Sequence, residues 1–363
     1  METSNSNATT PKEIKRLLVI RFSAIGDVAM TVPVVKALAM AYPDMRITVV
    51  SRPFAKAFYD MLADNVEFHA LDLKSSRYKG LLGMEHVYQD LRALNPDAVA
   101  DLHDVLRTKY ARLRMRMAGI PVSVIDKCRK GRKELTRQEN KILAQQPTSF
   151  EKYKAVFERL GLNFSLSKDT TPTVNLDAYK PSSQSSALIA DIQSEGTLSV
   201  GIAPFAAHQG KVYPTEKMEQ VIRLLTERYP GIKILLFGGG SDKVVFDKWC
   251  ASYPNAIFAS GECENMRDEL AVMRHLNCMV SMDSGNMHLA SLTGTPVVSI
   301  WGATHTLAGF YGWQQDPADI VETDMACRPC SIYGSKPCER GDYACMNSIT
   351  PEQVVKKISR YLA

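Results

Sequence analysis

Short apolar runs alternate with amphipathic stretches along nearly the whole chain, so strands and helices are expected in turn. In the N-terminal half the pattern predicts strands near 17–20, 47–50 and 98–102, with helices near 28–42, 53–63 and 105–118. The C-terminal half offers strands near 198–203, 232–237, 256–259, 278–282 and 297–301. Strands separated by helices favour parallel sheets, and the expected class is α/β with two Rossmann-like halves. Residues 163–185 are rich in Ser, Thr and Pro and carry little helical periodicity, so the interdomain connection is expected there. The division that follows is a disordered tail over 1–15, an N-terminal domain over 16–170 and a C-terminal domain over 171–350. A terminal helix over 351–363 completes it, with Thr350 as N-cap and Pro351 at the first helical position.

Length and composition agree with this division. At 363 residues the chain suits two domains of about 150–180 residues. With 45% hydrophobic and 23% charged residues it reads as a globular protein. No run approaches the ~20 apolar residues of a membrane span, and the first fifteen residues lack the apolar core of a secretory signal. A cytoplasmic protein is expected, with any membrane contact peripheral.

Two turns carry chemistry. Near residues 279–301 an apolar strand ends at Met282, and Asp283-Ser284-Gly285-Asn286 opens a helix through His288 that stops at Gly294. Free N–H groups and the positive end of the dipole at such a terminus can bind phosphate. Asp283 is expected at the N-cap, where it can also receive a ligand hydroxyl. The second turn, Ser23 to Asp27, follows a strand over Leu17–Ile20 and precedes a helix over 28–42. It lacks G-x-G-x-x-G, which disfavours a dinucleotide cofactor. Asp27 is the first acid after that strand. It is either a helix cap or a carboxylate ready to take a proton from a hydroxyl.

Together these segments resemble the heptosyltransferase family of inverting glycosyltransferases, known as glycosyltransferase family 9. The resemblance rests on R-F-S-A-I-G-D-V at 21–28, D-S-G-N-M-H-L-A at 283–290, G-T-P at 294–296 and W-G at 301–302. G-I-A-P-F-A-A-H-Q-G-K-V-Y-P at 201–214 looks like the family's phosphate-contacting segment, with its Lys at 211. The resemblance implies the GT-B architecture, in which the terminal helix usually packs back on the first domain. It also implies transfer of a heptose or related sugar from an ADP-sugar to a lipopolysaccharide inner-core acceptor, with no cofactor and no catalytic metal.

The roles it implies start with Asp27 as catalytic base. Lys211 would neutralise the departing diphosphate, with the backbone at Ser284, Gly285 and Asn286 beside it, and Asp283 would orient the sugar. His288 would either order its turn or donate to the diphosphate. Gly239, in the triple-glycine turn after a strand, permits close backbone approach. Asp242 stands where relatives tend to place a ribose-holding Glu, although the shorter acid and the three glycines depart from that pattern. Cys263 to Met266 would border the adenine.

Charge bears on the acceptor. The net charge is only +5, yet residues 107–141 hold twelve Lys or Arg against three acids. A solvated surface is the plain reading. Nucleic acid is disfavoured, since no aromatic platform is interleaved. Given the resemblance, a phosphorylated or carboxylated lipid-linked saccharide accounts for the cluster, with Arg107, Arg112, Arg129 and Arg132 as its contacts. Attraction to an anionic cytoplasmic membrane face would add to this.

Cys327, Cys330, Cys338 and Cys345, spaced C-x2-C-x7-C-x6-C, can hold a structural zinc, but the spacing is only partly zinc-like. Free thiols or a local disulfide are the alternatives. Two other functions remain open from sequence: a different nucleotide-sugar enzyme of the same fold, such as an epimerase, and a non-catalytic zinc-containing binding protein.

Overall fold

The computed structural model of the chain describes residues 13–167 and 172–363. Its frame is two parallel sheets. The first contains β1 (Arg16–Ile20), β2 (Arg46–Ser51), β3 (Val66–Ala70), β4 (Ala98–Asp101) and β5 (Val122–Val124), in the order 3-2-1-4-5. The second contains β6 (Ser199–Ala203), β7 (Lys233–Leu236), β8 (Ala256–Ile257), β9 (Cys278–Met282), β10 (Val297–Trp301) and β11 (Ile320–Glu322), in the order 11-10-9-6-7-8. Central strands such as β6, β9 and β10 are buried at every position. Helices cover both faces of such a sheet, which is why these strands read as continuous apolar runs.

The strand orders locate the crevice. The order in which strands are added reverses once in each sheet, between β1 and β4 in the first and between β6 and β9 in the second. Ligands of open parallel sheets bind beyond the carboxyl ends of strands at such a reversal. The segments after these four strands carry Asp27, His103, Lys211 and Asp283.

The two halves pack together. Helix Ile25–Ala29 lies against helix Gly285–Thr293, and the rings of Phe150 and Trp313 meet at 4.8 Å. Ser149 N–H donates to Gly309 O at 2.8 Å. The expected domain boundary at 170/171 lies outside the described residues, as does most of the expected tail. Just beyond that boundary, Thr173 N–H donates to Leu292 O and Lys36 Nζ donates to the carbonyls of Pro172 and Thr173.

Three expectations change. The helix expected over 28–42 is two segments, Ile25–Ala29 and Val32–Ala41, with Pro33 in the first turn of the second, where no N–H is needed. β3, β5 and β11 were not expected from the pattern; each stands at a sheet edge, and β5 and β11 have only three residues. The terminal helix Pro351–Ile358 is capped by Thr350 as expected, yet it packs on the C-terminal domain, against helix Thr215–Arg228. Its Val354, Val355 and Ile358 enter the C-terminal core beside Val221, Ile222, Leu225 and Ile300. The approach to it is pinned there, because Lys217 Nζ donates to the carbonyls of Asn347 and Ile349 and Tyr213 donates to Ile349 O. Among the described residues no helix is long and apolar enough to cross a membrane.

Candidate active site

The first turn fixes Asp27 from three sides. It occupies the third position of helix Ile25–Ala29, where a carboxylate oxygen accepts the Ala24 N–H at 3.2 Å. The same oxygen pairs with Arg21 Nη2 at 2.6 Å. Arg21 is buried at the end of β1, and its Nη1 donates to Leu102 O at 2.6 Å. Tyr153 donates to the Asp27 carbonyl at 3.2 Å. A carboxylate held this way keeps one orientation while about a third of its side chain stays open to the cleft.

The second turn differs slightly from expectation. Ser284, not Asp283, is the N-cap, and the helix begins at Gly285. Asp283 is buried one residue earlier, with its Oδ2 at 3.2 Å from Lys211 Nζ, an ion pair without hydrogen-bond geometry. Lys211 ends a 3-10 turn, Gln209–Lys211. Its stem runs across Gly334 (φ +74°), where a β-carbon would stand 2.4 Å from Lys211 Cγ. His288 is buried with Nδ1 unpartnered. Burial lowers its pKa to about 4, against the pull of Asp283 and Asp27, so the ring is neutral at pH 7.

These groups line three adjoining cavities. The largest, about 450 Å³, is bordered by Phe205, Phe237, Gly239, Asp242, Met266 and Glu269. It shares Ala207, Ser284 and Gly285 with a middle cavity of about 270 Å³, which holds Asp27, His208, Lys211, Asp283 and His288. The middle cavity shares Ala24, Asp27, Phe310 and Tyr333 with a third of about 170 Å³. Arg21, His103, Lys127, Arg132 and Lys152 line that third space. Asp27 therefore stands between the Ser284–Gly285 helix start with its neighbouring Lys211 and a cationic pocket.

The chain matches the family model for glycosyltransferase family 9 (heptosyltransferase) over residues 84–336. The chain belongs to that family. Lipooligosaccharide heptosyltransferase 2 of Campylobacter jejuni is 32% identical over 83 residues, a match spanning 23% of this chain and only 25% of that protein. Lipopolysaccharide heptosyltransferase 3 of Escherichia coli is 27% identical over 292 residues, covering 77% of this chain and 81% of its own length. The solved structure of the E. coli ADP-heptose lipopolysaccharide heptosyltransferase II superposes with a TM-score of 0.63 at 18% identity, over 96% of this chain and 98% of that one. That likeness carries the GT-B fold.

In this family 9 chain the residues singled out from sequence divide into two groups. Asp27, Lys211, Asp283, Ser284, Gly285 and His288 line the middle cavity together, and Asn286, Gly239 and Asp242 line the largest. Asp242 closes the glycine turn by accepting from Gly239 N–H at 2.8 Å. Of the four arginines Arg132 lines the third cavity; it donates to Tyr333 and lies over the Phe310 ring. Arg107 donates to Tyr78 O. Arg112 pairs with Asp101 and Asp104, and Arg129 lies 3.5 Å from Asp104, so local acids already pair with both.

The four clustered cysteines are free, and among the described residues no group of three or more His, Cys, Asp or Glu side chains is arranged to hold a metal ion. The loop that carries them instead supplies Tyr333 and Gly334 to the site.

Three residues were missed from sequence. Lys152 is buried with Nζ unpartnered, and burial together with Arg132 lowers its pKa to about 8. His103 is pushed down to about 3 by burial and then by Arg21 and Lys127. Burial raises Glu269 to about 7, despite the hydrogen bond it accepts from Ser260. In sequence each reads as an ordinary polar residue on a helix or loop. Only the closing of the fold over them gives them a role.

Proposed function

We propose that the chain is an inverting glycosyltransferase that moves a heptose from ADP-heptose to a lipopolysaccharide inner-core acceptor. One observation carries the reading: Asp27 lies where an anion-binding turn with its lysine meets a second, cationic pocket. The nucleoside would occupy the largest cavity and the diphosphate the Ser284–Asn286 turn. The acceptor's carboxylate or phosphate would enter the pocket of Lys127, Arg132 and Lys152. The names of the E. coli and Campylobacter relatives support the sugar and the acceptor class.

In this reading Asp27 takes the proton from the acceptor hydroxyl, whose oxygen attacks the anomeric carbon as the bond to the β-phosphate breaks. Attack and departure on opposite faces invert that carbon. Lys211 and the helix N–H groups balance the charge on the leaving ADP, work that a metal does in other transferases. Asp283 orients the sugar. The anionic acceptor and the basic N-terminal surface support action at the cytoplasmic membrane face.

Calorimetric titration with ADP-heptose and ADP, beside UDP- and GDP-sugars and without added metal, tests the donor. Selective adenine-nucleotide binding that Lys211→Ala weakens is expected. Preference for another base would change the donor, and no binding of any nucleotide would overturn the reading.

A further inference from the structure

Most large apolar side chains of this protein are inside, but five exposed ones gather on one face of the N-terminal domain. Leu81 (81%) and Leu82 (76%) open helix Gly80–Ala93, and Leu106 (74%), Leu113 (57%) and Met117 (75%) lie on helix Leu106–Met117. At 3.6 residues per turn, the last three fall within about 40° of one another and opposite the buried Thr108, Ala111 and Met115. The two helices pack side by side with their N-termini together, because Arg107 donates to Tyr78 O and Arg114 to Glu85. The five side chains therefore form one patch, which ordinary solvation does not explain.

The charge around the patch is net positive. Helix Leu106–Met117 contains no acid. Its Arg112 and Arg114 are neutralised by Asp101, Asp104 and Glu85. Lys109, at 4.0 Å from Asp104, and Arg116 flank the apolar stripe and are exposed, as is Lys79 beside Leu81. A second copy of the chain would set these cations against each other. An anionic bilayer satisfies both parts, taking the leucines among its acyl chains and the cations among its phosphates.

We infer that this face is a docking surface for an anionic lipid bilayer. Its position fits the site, since Val105, the residue before the stripe, lines the cationic cavity beside Asp27. Docking through the stripe would hold that cavity's mouth near the membrane, where a lipid-linked acceptor arrives. The inference rests on the transferase reading only for its purpose. The surface stands on its own residues.

The test is flotation of the full chain with vesicles containing about 30% phosphatidylglycerol, beside vesicles of phosphatidylcholine alone. Binding to the anionic vesicles is expected, weakening severalfold in about 0.5 M salt. The triple variant L106S/L113S/M117S should lose at least tenfold in partitioning and K109Q/R116Q severalfold, with melting temperature and ADP binding unchanged in both. No vesicle binding, or binding that neither variant alters, would overturn the surface. So would a dimer in sedimentation that the triple variant dissolves without any vesicle binding, because a second copy would then be the occupant. Normal donor binding beside any of these failures would leave the transferase reading standing, whereas absent donor binding would defeat that reading alone.

Discussion

Gly26 of the first domain rests against the His288 ring of the second: a β-carbon added at residue 26 would stand 2.6 Å from His288 Cδ2. His288 is buried on helix Gly285–Thr293 and cannot swing into solvent. The ring must shift, or the two helices must part. Gly26→Ala should therefore cost about 1–3 kcal/mol, the range for overpacking, and calorimetry should show the melting temperature falling by several degrees. Transfer should fall more steeply than stability, because the same displacement moves Asp27 away from Lys211. Unchanged turnover with a lowered melting temperature would separate this contact from catalysis.

The Arg21–Asp27 pair makes the next prediction. Asp27→Asn keeps the size of the side chain and its hydrogen bond to Ala24, but it removes the base. Donor affinity should hold in calorimetry, while turnover falls by about two to four orders of magnitude. Arg21→Met should act differently. It leaves the base present but loosely held, so turnover should fall less, and stability should fall through the lost bond to Leu102 O. Equal losses in both variants would mean that Arg21 does more than hold Asp27.

How much of this was legible in the sequence depends on how local each signal is. β9, its turn and the helix after it stand in one continuous stretch, and so do β1 and the Asp27 turn; both were readable. Lys211 was readable because its loop leaves a strand at once. The partners of the basic run were not legible, for the opposite reason. A run of basic residues displays its charge but not its partners, and Asp101 and Asp104 claim Arg112 before any ligand can. Lys152 lies in a helix that looks ordinary; Phe310, distant in sequence, stands over its ammonium, and Arg132 on another element repels it. The terminal helix announced its cap and its apolar face, but nothing in its residues said which domain would receive that face.

Lys152 gives a pH signature. Its ammonium lacks a hydrogen-bond partner and burial brings its pKa down to about 8, so the free protein loses the charge as pH rises through that value. If the pocket binds the acceptor's anion, kcat/KM for the acceptor should fall above about pH 8, since that ratio reports the free enzyme. Lys152→Met should remove this limb and lower kcat/KM at pH 7. The same variant should be more stable at pH 7, because a buried unpaired charge is gone. The sign follows from protons bound. Between about 8 and 10.5 the unfolded chain holds the proton and the folded chain does not, so wild-type stability rises with pH there, and in Lys152→Met this rise is absent. A variant that kept the alkaline limb would place the titrating group elsewhere.

His288 and Glu269 should pull stability in opposite directions over nearly the same pH range. His288 falls from 6.5 to about 4 on burial, so the folded state binds fewer protons between these values. Its contribution is complete above 6.5 and is lost as pH falls toward 4. Glu269 rises from 4.5 to about 7 on burial, so the folded state binds more protons there. Its contribution is complete below 4.5 and is lost as pH rises through 7. Each effect is of the order of 1–3 kcal/mol, and in the wild type the two largely offset each other. The single variants should expose them. Relative to wild type, His288→Gln should gain melting temperature as pH falls from 6.5 to 4, and Glu269→Gln should gain it as pH rises from 4.5 to 7. Melting curves at pH 4, 5, 6, 7 and 8 on the three proteins decide this. Curves that stay parallel would mean that neither group is held in the protonation state its burial demands. Added ADP sharpens the assignment, because Glu269 lines the cavity proposed for the nucleoside and His288 the one that holds Lys211. Nucleotide should shift the Glu269→Gln difference curve, and its effect on the His288→Gln curve should depend on whether the diphosphate reaches that ring.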